Sequence, residues 1–269
     1  MSQTHLIVGA GNMGGAILSG WLDQGNLTSE KLVVLDPRPG DAALKAIESG
    51  ALHITNSAEV PDTVNTVLLG IKPQLFTDLG PALASVLPDG CLLISIMAGI
   101  SSKSLSETFT KAITVRAMPN TPASIGKGIT AFMLEANAPQ AVTNRVEKLL
   151  SAIGSVIRVN NDDQIDAVTA VSGSGPAYIF YLCEALAEAG MSVGLPQETA
   201  MALAKATIIG ASGLLETSDS SPGELREAVT SPNGTTHAAL EVLMASDGLT
   251  LLMEKAIKAA KKRAEELSR

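Results

Sequence analysis

LIVGAGNMGGAIL, residues 6–18, carries Gly9, Gly11 and Gly14 in the G-x-G-x-x-G pattern. The pattern alone is weak. Here the apolar run THLIV leads into it, and a stretch with helical spacing, GGAILSGWLDQG, leads out of it. That order of strand, glycine loop and helix is what a dinucleotide-binding unit requires. Gly9 allows the tight turn, Gly11 lets a pyrophosphate approach the backbone, and Gly14 lets helix and strand pack closely. The loop Gly9, Ala10, Gly11, Asn12, Met13 and Gly14 would present its N–H groups to phosphate at a helix start.

Further along, the alternation continues. KLVVLD, TVNTVLLGI, GCLLISIMAG and AITVRAM are short apolar runs, with helix-like or turn-rich segments between them. KGITAFMLEA reads as a later strand, QAVTNRVEKLLSAIG as an amphipathic helix and SVIRVN as a closing strand. Strands alternating with helices imply parallel pairing through crossovers. Runs apolar throughout, rather than at every second residue, suit a sheet covered on both faces. The expected fold is α/β, an N-terminal Rossmann-type doubly wound sheet. After Asn160 the character changes, and from Asp162 to Arg269 only Ala- and Leu-rich helical stretches follow. The expected domains are therefore 1–160, binding the dinucleotide, and 161–269, all helical.

The composition narrows the function classes. Of 269 residues, 46% are hydrophobic and 17% charged, which is globular. The net charge of −8 argues against nucleic acid, whose phosphates need a basic face. Cys91 and Cys183 sit in apolar runs at a spacing that suits no metal, and read as buried, reduced thiols. The opening residues lack a secretory pattern, and no apolar run approaches the ~20 residues of a membrane helix. The expected location is cytoplasmic, with no membrane partner.

Ligands of open α/β sheets bind at the carboxyl ends of the strands. Asp36 ends the second run, where a carboxylate accepts from both ribose hydroxyls and favours NAD. Arg38, two residues on, could meet a 2′-phosphate and favours NADP. Asp36 would repel that phosphate unless it turned away, so physics leans slightly to NADH while NADPH stays open. Lys72 and Pro73 in GIKPQ, Ala98 in MAGIS, and Asn120 and Thr121 in MPNTPA occupy equivalent edges.

In the helical half, AVTAVSGSGPAYIFYLCEAL has the apolar content of a long buried helix, yet Ser172-Gly173-Ser174-Gly175-Pro176 weakens its middle. Gly costs about 1 kcal/mol and Pro about 3 kcal/mol in a helix interior. Small residues there would keep the helix thin where a backbone or a flat ligand approaches, or would permit close packing at a dimer interface.

Taken together and in this order, GAGNMG, IKPQ, RAMPNTPA, DAVTAVSGSGPAY and VTSPNGTT resemble the pyrroline-5-carboxylate reductase family over nearly the whole chain. The resemblance implies a Rossmann domain followed by an all-α dimerisation domain, a homodimer often assembled into a ring of dimers, and hydride transfer from NADPH or NADH to 1-pyrroline-5-carboxylate, giving L-proline. It implies cofactor contacts at Gly9 to Gly14, with Asn56 at the adenosine and Ile71, Lys72 and Ala98 near the ribose and nicotinamide. Asp162 falls near the substrate site, and Thr169 matches the threonine that hydrogen-bonds the ring nitrogen. Ser231, Thr235 and Thr236 match the loop that holds the substrate carboxylate. The chain departs from the family at Asn233, where Gly is common, and at Ala228, where an amide is common. Asn233 is tolerated if the backbone there is left-handed.

Imine reduction needs little acid–base equipment, because the iminium nitrogen binds already protonated. The three histidines fit that picture: His5 and His53 fall in or near strands away from the loop edges, and His237 reads as structural or surface. Two other readings compete. A β-hydroxyacid-type dehydrogenase shares the architecture but wants a lysine acid–base from the helical domain, and Lys205 is the only lysine between Asp162 and Lys255. A non-catalytic dinucleotide sensor would keep the glycine loop but not the helical motifs. The helices are apolar over much of their circumference. A second copy is expected to cover them, with the VTSPNGTT loop of one chain completing a site on the cofactor domain of the other.

Overall fold

The computed structural model describes residues 4–25, 27–135 and 138–268. The chain forms two compact units, Met1–Ser174 with Ala260–Arg269, and Gly175–Ala259.

The first unit is built on eight strands: β1 (Thr4–Val8), β2 (Leu32–Leu35), β3 (Leu52–Ile54), β4 (Val64–Leu69), β5 (Leu92–Ser95), β6 (Ile113–Met118), β7 (Gly128–Met133) and β8 (Gly154–Arg158). Their spatial order is β3-β2-β1-β4-β5-β6-β7-β8. In β1, Ile7 lies opposite Val34 of β2 and Leu68 of β4, both in parallel register. The strand order reverses between β1 and β4, which makes their carboxyl ends the switch point of the sheet. The crossovers are α1 (Asn12–Asp23), α2 (Asp41–Glu48), α3 (Phe76–Ala84), α4 (Ser102–Thr108) and α5 (Gln140–Leu150), and α6 (Asp162–Val168) follows β8.

Neighbouring residues of β1 enter different cores, as a pleated strand requires. Ile7 joins Trp21, Leu68, Ile94 and Phe132 on one face, while Leu6 and Val8 join Val67, Leu83 and Leu93 on the other. Both faces are filled, which is why the strands read as unbroken apolar runs. Trp21 also donates from its indole Nε1 to the Leu149 carbonyl at 2.8 Å, tying α1 to α5.

Two features of the sheet depart from expectation. β7 runs antiparallel to β6, with Ala117 opposite Phe132. Only a short 3-10 turn, Thr121–Ile125, separates them, too little chain for a parallel crossover. β3 carries no strand signal, because Leu52 and His53 are exposed and only Ile54 is buried.

The second unit contains α7 (Gly175–Ser192), α8 (Gln197–Thr217), α9 (Pro222–Ala228), α10 (Thr235–Leu243) and the first part of α11 (Leu249–Leu267). Among the described residues no strand follows Asn160. Its buried cluster is small: Ala187, Ala200 and Ala204, with Cys183 and Met201 against them. Phe180, Tyr181, Ile209 and Leu214 are all more than half exposed in the single chain.

Asp162–Ser174 belongs with the sheet, where Ile165 packs on Met118 and Ala131. Cys91 is buried, and burial pushes its thiol up to about 11, whereas Cys183, expected to be buried too, is only half-buried. Among the described residues no helix is long and apolar enough to cross a membrane.

Candidate functional site

The switch point carries the glycine loop. Gly9 has φ +86°, and a Cβ there would stand 2.8 Å from the Gly70 carbonyl group at the end of β4. A Cβ on Gly14 would stand 2.2 Å from the Gly9 carbonyl oxygen. Gly11 differs: a Cβ there would meet nothing within 4 Å. Two glycines are needed for packing, and the third faces open space. Gly11 is also the N-cap of α1 and supplies no side-chain cap, so the first-turn N–H groups at Asn12, Met13 and Gly14 suit an anion. The loop therefore fits a pyrophosphate.

Asp36 stands just past β2. Its Oδ2 accepts from the Ala10 N–H at 2.7 Å and its Oδ1 from the Arg38 N–H at 2.8 Å. The carboxylate is turned to the glycine loop and to its own turn. His53, expected away from the loop edges, has Nε2 2.9 Å from the Asp36 carbonyl oxygen and so lies at this edge. Ile71 and Lys72 follow β4, with the exposed Lys72 capping the short turn Pro73–Leu75. Ala98 is exposed in the loop after β5. Asn56 caps the turn Ser57–Glu59: its Oδ1 accepts from the Ala58 N–H at 3.0 Å, and Glu59 accepts from the Asn56 N–H at 3.2 Å. The elements thus carry these residues to the carboxyl ends of β1 to β5.

A second polar cluster joins α6 to β6. Arg116 is almost fully buried in β6. Its Nη1 pairs with Asp162 Oδ1 at 2.5 Å and its Nη2 with Asp166 Oδ1 at 2.9 Å. Ser268 Oγ lies 3.3 Å from both Arg116 Nη2 and Asp166 Oδ1. Ser102 donates its hydroxyl to Asp162 Oδ2 at 2.5 Å, and its N–H reaches both carboxylate oxygens at 3.2 Å. Burial raises the pKa of Asp162, but the Ser102 and Arg116 hydrogen bonds and the Arg116 charge outweigh it and hold the carboxyl below its ordinary value.

Thr169 follows α6 directly and opens a π-helical turn, Thr169–Gly173. Its hydroxyl donates to the Ile165 carbonyl at 2.8 Å, four residues back. The Ser174 N–H reaches the Thr169 carbonyl at 2.9 Å, the five-residue step of a π turn. The weak middle of the long helix is thus a π turn. No backbone presses on Gly173, whose nearest neighbours to a Cβ would be Thr169 Cγ2 at 3.7 Å and Met118 Sδ at 3.8 Å.

In the second unit, Asn233 takes φ 58°, the left-handed conformation that lets it replace glycine. Beside it, a Cβ on Gly234 would stand 2.4 Å from Ser231 Oγ. Thr235 and Thr236 open α10, whose N-cap, Gly234, gives no side-chain cap. Ser231 and Thr235 are exposed and Thr236 half-buried. Lys205 lines a cleft of about 750 Å³ with Glu184, Glu188 and Glu198; none of Ser231, Thr235 and Thr236 lines it. His5 is buried edge-on against Trp21, and desolvation, then the charges of Arg145 and Lys31, push it down to about 4. His237 is exposed on α10.

A doubly wound sheet with an open glycine loop at its switch point defines a nicotinamide-dinucleotide oxidoreductase, here extended by an all-helical unit. Residues 5–99 match the family described as "NADP oxidoreductase coenzyme F420-dependent", and residues 162–267 match "Pyrroline-5-carboxylate reductase dimerisation". The pyrroline-5-carboxylate reductase of Pseudomonas aeruginosa is 39% identical over 262 residues, which cover 97% of this chain and 95% of that one. The structure of a pyrroline-5-carboxylate reductase from Coxiella burnetii superposes with TM-score 0.90 at 33% identity, covering all of both chains. That of a Plasmodium falciparum pyrroline carboxylate reductase with NADP bound shares the fold, with TM-score 0.80 at 24% identity over 99% of this chain and 98% of that one. The chain belongs to the pyrroline-5-carboxylate reductase family. Its activity is the NAD(P)H-dependent reduction of 1-pyrroline-5-carboxylate to proline, and its helical domain serves oligomerisation.

Two of the residues that build this site carried no assigned role in the sequence reading. Ser102 left no signal. Arg116 did: an arginine inside the apolar strand AITVRAM requires a buried partner, and Asp162 and Asp166 supply it.

Proposed function

We propose that the reduction is carried by Thr169 at the imine nitrogen, with the glycine loop on the cofactor and the Ser231–Thr236 loop on the substrate carboxylate. One observation supports the chemical role of Thr169. Its hydroxyl hydrogen is donated to Ile165, so its oxygen is left as an acceptor. An acceptor suits a ring nitrogen that arrives protonated as N–H⁺, and it orients that nitrogen without supplying a proton. Bound at the loop from Gly9 to Gly14, a reduced nicotinamide dinucleotide supplies the hydride for the C=N carbon. Ser231, Thr235 and Thr236 offer hydroxyls to the substrate carboxylate, and the uncapped start of α10 offers N–H groups. Ile71, Lys72, Ala98 and Asn56 complete the cofactor contacts; Asp36 braces the loop, and Arg38 is the candidate for a 2′-phosphate. Asp162 acts by holding α6 to Arg116 and Ser102 rather than by touching substrate.

The same proposal covers the assembly. A unit whose buried cluster is three alanines, with Phe180, Tyr181 and Ile209 exposed, favours a homodimer through residues 161–269, built further into a ring of dimers. A cytoplasmic setting agrees with two free cysteines.

Steady-state kinetics test the role of Thr169. Thr169→Val should lower kcat about 10- to 100-fold, the loss expected for one positioned hydrogen bond, with cofactor affinity unchanged. Thr169→Ser, which keeps the oxygen, should retain most of the rate. A Val variant as fast as the parent would remove Thr169 from the site.

A further inference from the structure

β6 and the segment after Asn161 pack side by side. Arg116 pairs with Asp162 and Asp166, Met118 lies against Gly173, and Asn120, just past the strand, reaches Ser172. The last contact meets a specific need. In an α-helix the Ser172 carbonyl would accept from the N–H of residue 176. That residue is Pro176, which has no N–H. Asn120 Nδ2 donates to the Ser172 carbonyl instead, at 3.2 Å. The other end of the amide is engaged as well, since Asn120 Oδ1 accepts from the Ile129 N–H at 2.9 Å. Asn120 is 9% exposed, so each of these bonds is made where water competes little.

The position of the π turn matters because each residue in a helix turns the chain by about 100°. Moving the turn by one residue would swing Thr169 against everything that follows it. We propose that Asn120 is a positioning residue for the imine reduction: by pairing the carbonyl that Pro176 leaves open, it fixes the π turn and with it the direction of the Thr169 hydroxyl. The proposal rests on the reading that Thr169 meets the substrate nitrogen. Asn120 and Pro176 then form a matched pair, one residue removing a donor and the other replacing it.

The test is a set of variants assayed for kcat, cofactor affinity and thermal melting. Asn120→Asp keeps the acceptor for Ile129 and sets a carboxylate oxygen against the Ser172 carbonyl in place of the donor; Asn120→Ala loses both bonds. Each should lower kcat about 10-fold or more, at least the worth of the bond to Ser172, and leave the NADPH dissociation constant within about twofold. In a Thr169→Val background, Asn120→Asp should cost no more than about threefold further, because both act through one oxygen. Adding Pro176→Ala to Asn120→Ala supplies an N–H for Ser172 and should recover kcat by at least about threefold. If either Asn120 variant fails to fold, the other decides, and the Pro176→Ala rescue decides with it. The proposal is overturned if Thr169→Val slows the enzyme while the Asn120 variants do not. It is also overturned if the two effects multiply in the double variant, or if Pro176→Ala rescues nothing. If Thr169→Val itself leaves kcat unchanged, the reading of Thr169 fails first, and that result is distinct from the others.

Discussion

The backbone N–H of Ala10, inside the glycine loop, donates to Asp36 Oδ2 at 2.7 Å, so the end of β2 buckles the loop after β1 in place. The second carboxylate oxygen is held by Arg38 N–H. A carboxylate at this strand end invites a ribose, yet both of its oxygens already have backbone donors. Asp36→Asn should therefore weaken NADH and NADPH together, by roughly 3- to 10-fold for one degraded hydrogen bond. Their ratio should stay within about twofold. Fluorescence titration of each cofactor checks this, and a tenfold swing towards NADPH would mean that the carboxylate reads the ribose after all.

The three loop glycines should fail in different ways. Gly11→Val projects into open space and should leave the melting temperature nearly unchanged while abolishing cofactor binding. Gly14→Ala places a Cβ against the Gly9 carbonyl oxygen and should destabilise the fold itself. Thermal melts and cofactor titrations on both variants separate the two roles.

How much of this was legible in the sequence follows from the range of the interactions. The unit from β1 to α1 was legible because its glycines answer local needs, a turn and a close crossing. The direction of β7 was not, since an apolar run reads the same in either direction. β3 was silent because two of its three residues face solvent. The Ser172–Pro176 step was visible as a weak helix, but its partner Asn120 is 52 residues away, and only the fold brings the two together. Asp162 was expected beside the substrate on resemblance alone; the structure engages it with Arg116 and Ser102.

His5 makes stability depend on pH. Its folded-state value of about 4 lies below the ordinary 6.5, so the unfolded chain takes up the proton first as the pH falls. The contribution is complete above pH 6.5 and is lost between 6.5 and 4. At pH 4.5 the loss should be roughly 2–3 kcal/mol. Urea unfolding of the parent and of His5→Phe, at pH 7 and pH 4.5, measures it. An equal pH loss in both proteins would remove His5 as the cause.

Arg116→Met should strongly destabilise the sheet unit. It strips the buried Asp166 and the half-buried Asp162 of their cation, at a cost of about 3–5 kcal/mol. The held-down carboxyl of Asp162 stabilises the fold above the ordinary carboxylate range, and that help fades as the pH falls through its lowered value. Denaturant midpoints at neutral pH and near pH 3 should therefore differ less in the variant than in the parent. An unfolding free energy at neutral pH within about 1 kcal/mol of the parent would count against the network.

The last two turns of α11 and the residue after them lie in the sheet unit: Lys261 pairs with Asp163 at 2.5 Å, and Ser268 joins Arg116 and Asp166. The cofactor unit is therefore interrupted in sequence by residues 175–259 and is closed by residues made after them. On a ribosome, the sheet emerges early together with Asp162 and Asp166, and Ser268 reaches its buried arginine only after the helical unit has been made. A nascent chain halted at Ser174 would hold the glycine loop and lack the strap that finishes the domain around Arg116. The nucleotide-binding unit is thus completed only after the helices of residues 175–259 have been made.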